Sequence, residues 1–342
     1  MRHPAAAVVT AAALAVSVAL ASPYAQAPFD PNGRPNRSQP GPWNNDLLVY
    51  RVSADGSTEQ LSTFPRAGVP TAARMADGRL IALHQHFPED NDADFDKVAV
   101  RFSADDGRSW TEARVIRVDG LPDGMRFPFD PTIVPLPDGK LRLYFTGTIG
   151  RNLGANPPAI HSALSSDGVS YTYEPGVRFA VAGRPVIDSA AALHVGVFHL
   201  FAPDNGAAGA MFGPGPRAGG PPPPPPGPPG GPPSPGEPGR GRGPSTEPGV
   251  GYHAVSRDGL TFTRESDVRM PAGRRWLGNV VSDAGALRFF GTGGPGGVWT
   301  ATSTTGRDWR LSFPVDARGA DPAAVALPGD AWLVIVTGPP RR

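Results

Sequence analysis

The chain has 342 residues, a net charge of +1 and no cysteine. Balanced charge with no basic tract interleaved with aromatics argues against a nucleic-acid partner, and the missing cysteines exclude both disulfides and a thiolate nucleophile. A chain of this size can bury a core of its own, and self-similarity has to be read before domains are counted.

Residues 1–27, MRHPAAAVVTAAALAVSVALASPYAQA, open with a short basic start followed by an apolar run of small residues. Small-x-small sites follow at Ala19-Leu20-Ala21 and Ala25-Gln26-Ala27. This is the form of a secretory signal peptide cleaved near residue 21 or 27. The mature protein is therefore expected to be secreted or periplasmic and, once the signal is removed, not membrane-spanning. The run is short for the rival reading, an uncleaved anchor.

The stretch NDLLVYRVSADGSTEQLSTF (45–64) reads as two strands about a turn. A hairpin follows, VPTAARMADGRLIALHQHF from Val69, and its form returns four times. The later copies are DPTIVPLPDGKLRLYFTG from Asp130, DSAAALHVGVFHLFAP from Asp188, NVVSDAGALRFFGTG from Asn279 and DPAAVALPGDAWLVIVTG from Asp321. Each is an apolar run, a Gly-containing turn and an alternating or aromatic-rich run. Between the copies lies a second motif, with serines at Ser53, Ser103, Ser165, Ser256 and Ser303. These recur roughly every 50 residues, with one wider gap that holds a Pro/Gly tract. Two hairpins per period make one four-stranded propeller blade.

The pattern predicts an all-β protein, a β-propeller of five four-stranded blades, with six as the alternative count. The strands of 45–64 are expected to pair with the C-terminal hairpin and so close the ring without an open edge. Residues 28–342 then form a single domain, carrying a disordered Pro/Gly-rich insert at 207–249. A monomer is expected.

The sequence SADDGRSW (103–110) fits the pattern S-x-D-x-G-x-[ST]-W. On that box and on FPRAGVPTAARMADGRLIALHQHF (64–87), the chain resembles the sialidase-like (BNR, or Asp-box, repeat) β-propellers over most of its length. The form DP-x-x-x-x-LPDG-x-x-R-x-YFTG (130–147) also resembles five-bladed glycoside hydrolases of the arabinanase and levansucrase kind. The resemblance implies a glycoside hydrolase acting on a glycan or glycoconjugate. The box itself reads as a structural turn. Asp105 can accept hydrogen bonds from its own turn, Gly107 supplies a positive φ and Trp110 folds back over the hairpin.

Chemistry is expected on the opposite face. Aligning the hairpins puts Val69, Asp130, Asp188, Asn279 and Asp321 at the start of the innermost strands, each preceded by an arginine: Arg66, Arg126, Arg184, Arg275 and Arg318. Carboxylates facing each other across a channel shift one another's proton affinity, as an acid/base pair for glycoside hydrolysis requires. Asp130 and Asp188 are the expected pair, with Asp321 or Glu89 in support. The arginines, Asn279 and His86 are candidates for holding an anionic or hydroxyl-rich sugar. Two other readings stay open. Each arginine can pair with a neighbouring aspartate to tie blades together, and Asp130, Asp188, Asp321 and Asn279 can hold an axial Ca²⁺, although no cofactor is required. In the acidic loop HQHFPEDNDADFD, His84 and His86 share one side of a strand. They lack a placed third metal ligand, so no metal site is assigned to them. The expected function is an exported glycoside hydrolase of sialidase-like type, with a non-catalytic carbohydrate-binding propeller or a scaffold as the alternative.

Overall fold

The computed structural model describes residues 41–125, 129–150, 156–206, 249–292 and 297–341. The expected signal peptide, the Pro/Gly tract up to residue 248, and Arg126 lie outside them. The chain is a five-bladed β-propeller built almost wholly of antiparallel strands. Blade 1 runs Ala67–Arg74, Leu80–His86, Lys97–Ser103 and Arg114–Val115 from the axis outward. The inner strands of blades 2, 3 and 4 are Phe129–Pro135, Ala190–His194 and Gly278–Asp283. Blade 5 takes Ala320–Leu327 and Ala331–Pro340 from the C-terminal end, and Asn45–Val52 and Thr58–Phe64 from the N-terminal side.

The ring therefore closes as expected. Leu47 to Val52 pair in antiparallel register with Thr337 to Trp332, and Asn45 Nδ2 donates to the Gly338 carbonyl at 3.0 Å. Two blades depart from the four-strand form. The connection into blade 2 adds Arg117–Asp119 as a parallel fifth strand beside Ser170–Phe179, and the outer strand of blade 3 is split into Thr263–Arg264 and Val268–Arg269.

Each blade buries both faces, so alternate residues of one strand serve two different seams. Leu333 and Ile335 pack with Leu47, Val49 and Leu80 between blades 5 and 1, while Trp332, Val334 and Val336 pack with Phe290 and Val298 between blades 4 and 5. Five such clusters, one per seam, make up the core. The seam between blades 3 and 4 is rich in aromatics. Phe201 stacks on His253 (ring centroids 4.6 Å apart) and on Trp276 (5.1 Å), and His253 Nε2 meets His199 Nδ1 at 3.0 Å. Burial pushes both imidazoles down to about 4. An unfolded histidine titrates near ~6.5, so the unfolded chain takes up these protons first and stability drains away as pH falls from ~6.5 to ~4. His253→Phe is expected to keep the stack and to shrink the drop in melting temperature between neutral and mildly acidic buffer.

The repeated boxes are structural turns. Ser103 Oγ donates to Asp105 Oδ1 at 2.8 Å and accepts from the Gly107 amide at 2.9 Å. Asp105 also accepts from the Ser109 amide and hydroxyl, at 2.9 and 2.6 Å, and Trp110 Nε1 donates to the Gly107 carbonyl at 3.0 Å. Those bonds from Ser109 hold the exposed Asp105 carboxyl down at about 2. Each box also leans on the preceding blade. A Cβ on Gly107 would meet Leu333 of blade 5, and one on Gly168 would meet Ile81 of blade 1. Arg142 and Tyr144 of blade 2 donate to the Asp258 and Gly259 carbonyls of blade 3, at 2.7 and 2.8 Å. Gly107 sits at φ 88°, and its added Cβ would stand 2.3 Å from Leu333 Cδ1. Gly107→Ala is therefore expected to cost about 2–4 kcal/mol in chemical denaturation, as left-handed strain and overpacking add.

Candidate functional site

The inner strands share a device at their entry to the channel. Val69, Asp130 and Asp321 each fall inside a β-bulge, where two residues of the inner strand face one of its partner. All three are left-handed, at φ 47°, 50° and 47°, and each is followed by a proline. Asp188 has the same conformation, φ 55°, just before its strand. The proline keeps the preceding residue out of the right-handed helical region, and Asp tolerates the left-handed one through its short polar side chain. Valine does not, so Val69 carries backbone strain that an aspartate there would largely avoid. Blade 4 solves the same corner with Gly278 at φ 145°, and Asn279 follows in regular pairing with Phe290.

Hydrogen bonds between blades fix this mouth. The Val69 amide donates to Thr337 Oγ1 (3.2 Å), the Ile133 amide to Thr71 Oγ1 (3.1 Å) and the Thr132 hydroxyl to the Ser189 carbonyl. The result is a narrow axial cavity of about 20 Å³, lined by Val69, Asp130, Asp188, Asn279, Asp321 and their neighbours. That is room for about one water molecule.

The three aspartates act on one another. Burial, then the charge of Asp188, and further those of Asp321 and Asp96, hold the Asp130 carboxyl well above the usual carboxylate range. Burial, then the charge of Asp188, pushes Asp321 up to about 7. Asp188 reaches only about 6, because the positive charge of Arg275 opposes its burial. The mouth thus contains one strongly proton-retaining carboxyl beside one poised to ionise, the division of labour that acid/base chemistry needs.

The arginines divide. Arg66 donates from Nε to the Phe87 carbonyl and from a guanidinium NH₂ group to Glu89 Oε1, both at 2.7 Å. Arg184 grips both oxygens of Asp204 at 2.6 and 2.7 Å, and Asp204 also accepts from Tyr252 Oη at 2.7 Å. In blades 1 and 3, then, the entering arginine ties the inner strand to the loop after the second strand, which is the structural role. Arg275 and Arg318 are exposed and make no ion pair among the described residues. Glu89 stays at the rim with Arg66 and does not line the cavity. His86 is partly buried at the end of its strand, and its neighbour His84 is a core residue packed near Phe64. Among the described residues no three His, Asp or Glu side chains are grouped to hold a metal ion.

Sequence reading passed over Asp96, whose charge reaches Asp130. It is the last residue of the acidic stretch HQHFPEDNDADFD, left-handed at φ 61°, and its amide donates to the His86 carbonyl at 2.9 Å. Ser189 and Thr132, which also line the cavity, gave no signal beyond following the aligned aspartates.

The fold places the chain in a broad class, the five-bladed propellers, and three solved structures show the likeness. An N-acetylgalactosamine deacetylase from F. plautii, in complex with blood group B trisaccharide, superposes with a TM-score of 0.51 at 13% identity over 83% of this chain and 82% of its own. The GH43_1 enzyme from Xanthomonas citri, complexed with xylotriose, gives 0.50 at 15% identity over 79% and 87%. The GH32 β-fructofuranosidase of Bombyx mori gives 0.50 at 12% identity, covering 84% of this chain but only 56% of that one. At such identity the likeness is one of fold. No family model matches the sequence, and no curated protein does.

Proposed function

We propose that the protein hydrolyses a glycosidic bond at the carboxylate-lined mouth of its channel. The observation that carries this reading is the gathering of Asp130, Asp188 and Asp321 at one small cavity, where the charge of Asp188 raises the other two. Asp130, whose carboxyl is held well above the usual carboxylate range by burial and by its acidic neighbours, serves as the acid that protonates the leaving oxygen. Asp188, which Arg275 helps to ionise, serves as the base or nucleophile, and Asp321 sets the charge around both. Arg275 and Arg318 would meet an anionic or hydroxyl-rich sugar. The glycan-linked propellers of the same fold support a glycan substrate. The proposal extends to export, from the form of residues 1–27, to a monomer, and to a sialidase-like preference, from SADDGRSW.

A glycan-binding propeller without turnover is the second reading, favoured by Arg275 and Arg318, which are exposed and make no ion pair among the described residues. The test is hydrolysis of a panel of aryl glycosides, a sialoside included, with and without Ca²⁺. Turnover on one sugar that disappears in Asp130→Asn supports the hydrolase. Silence across the panel, together with retained glycan binding, supports the second reading.

A further inference from the structure

Below the carboxylate mouth the channel widens into a chamber of about 420 Å³. All five inner strands wall it, and the walls are almost wholly aliphatic, with Ala72, Ile133, Ala192, Val280 and Val325 contributing one from each blade. A chamber of this volume with few polar groups has the character of a small-molecule site. The charged residue on its lining, Arg74, is already engaged by Asp106 at 2.9 Å and by the Gly78 carbonyl at 2.8 Å.

Asn279 lines both the chamber and the narrow cavity above it, so the two spaces lie on either side of one residue. Three side-chain oxygens of residues lining that cavity are buried without a hydrogen-bond partner: Asn279 Oδ1, Asp321 Oδ2 and Ser189 Oγ. Asn279 and Ser189 are only 5% and 3% exposed. An amide oxygen accepts only, and so does an ionised carboxylate. The group that completes them is a donor, and the neighbouring Asp188, which ionises more readily with Arg275 near it, favours one with positive charge. A primary ammonium supplies three N–H donors and no acceptor, and an alkyl chain attached to it suits aliphatic walls that would desolvate sugar hydroxyls.

We propose that the axial channel binds an aliphatic primary amine, its ammonium held by Asn279, Asp321 and Ser189 and its alkyl chain lying in the chamber. The site is independent of whether the mouth hydrolyses glycosides.

Calorimetric titration of the purified protein at neutral pH with butyl-, hexyl- and octylamine tests it. Affinity is expected to rise about fourfold per added methylene, as burial of an alkyl chain requires. Hexanol and hexanoate, of equal chain length, are expected to bind at least about tenfold more weakly than hexylamine. Ala192→Phe, at a lining position that also packs in the seam between blades 3 and 4, should narrow the chamber and abolish binding, provided a melting curve shows the fold intact. Three results would overturn the proposal. One is no heat with octylamine at millimolar concentration, which would mean a channel filled by water only. Another is equal binding of amine, alcohol and carboxylate, and the third is amine binding indifferent to chain length, which marks surface carboxylates. If Ala192→Phe does not fold, the wild-type chain-length and head-group series decide alone.

Discussion

If the protein is the glycosidase proposed above, Asp130→Asn is expected to lower kcat by about 10²–10⁴, the range that general acid–base groups contribute. The same substitution is expected to raise the melting temperature. Both effects have one origin. Burial and the charges of Asp188, Asp321 and Asp96 make ionisation of Asp130 costly, which on the proposed reading suits it to carry the proton for a leaving oxygen. Asparagine has the same shape but no such proton, and it carries no charge for its neighbours to repel. A functional group held against its own solvation is a place where activity and stability trade off. Steady-state kinetics paired with thermal unfolding reads both quantities. Retained activity within about threefold would move the acid elsewhere in the ring, and a lost activity with a lowered melting point would mean that Asp130 mainly supports the strand.

The propeller was legible because each of its periods is written locally. A strand pair joined by a Gly turn needs only neighbouring residues, and Asp138-Gly139 or Ala284-Gly285 declare their hairpins without help from the rest of the chain. Closure was legible for the same reason, since 45–64 holds two strands with no partners of their own. The extra edge strand Arg117–Asp119 was not, because it depends on where the chain passes between two blades and not on its own three residues.

The candidate site was legible in the place it gathers and less so in pairing. The aligned aspartates share a spacing from a turn, and the structure gathers them at one mouth. Their left-handed bulges were hidden, although Asp-Pro was a usable hint. Whether an arginine faces the ligand or a carboxylate depends on a loop some twenty residues away, as Arg184 with Asp204 and Arg66 with Glu89 demonstrate. Val69 is the sharpest case. Sequence shows only an apolar residue where other blades have acids or an amide, and the backbone angle is what reveals that valine occupies a strained corner.

Asp321→Asn is expected to stabilise the fold on the order of 2–4 kcal/mol above neutral pH, and hardly at all near pH ~4. The sign follows from the direction of the shift. Burial and Asp188 raise the Asp321 carboxyl from 3.8 to about 7, so between those values the folded chain binds a proton that the unfolded chain has released. Wild-type stability must then fall as pH rises from ~4 through ~7, and the penalty is complete above that window. Asparagine removes it. The buried histidines of the seam between blades 3 and 4 work in the opposite sense over ~4 to ~6.5, so the wild-type profile alone is a difference of two slopes and does not isolate the ring. The variant-minus-wild-type difference does isolate it, because His199 and His253 are unchanged in both proteins. Guanidinium midpoints at mildly acidic and mildly alkaline pH supply that difference. A gain confined to alkaline buffer is the expected result. A gain of equal size at both pH values would show that Asp321 costs the fold through its unpaired Oδ2 in either protonation state, and a loss at both would make it a structural acceptor whose proton has no part in the chemistry of the mouth.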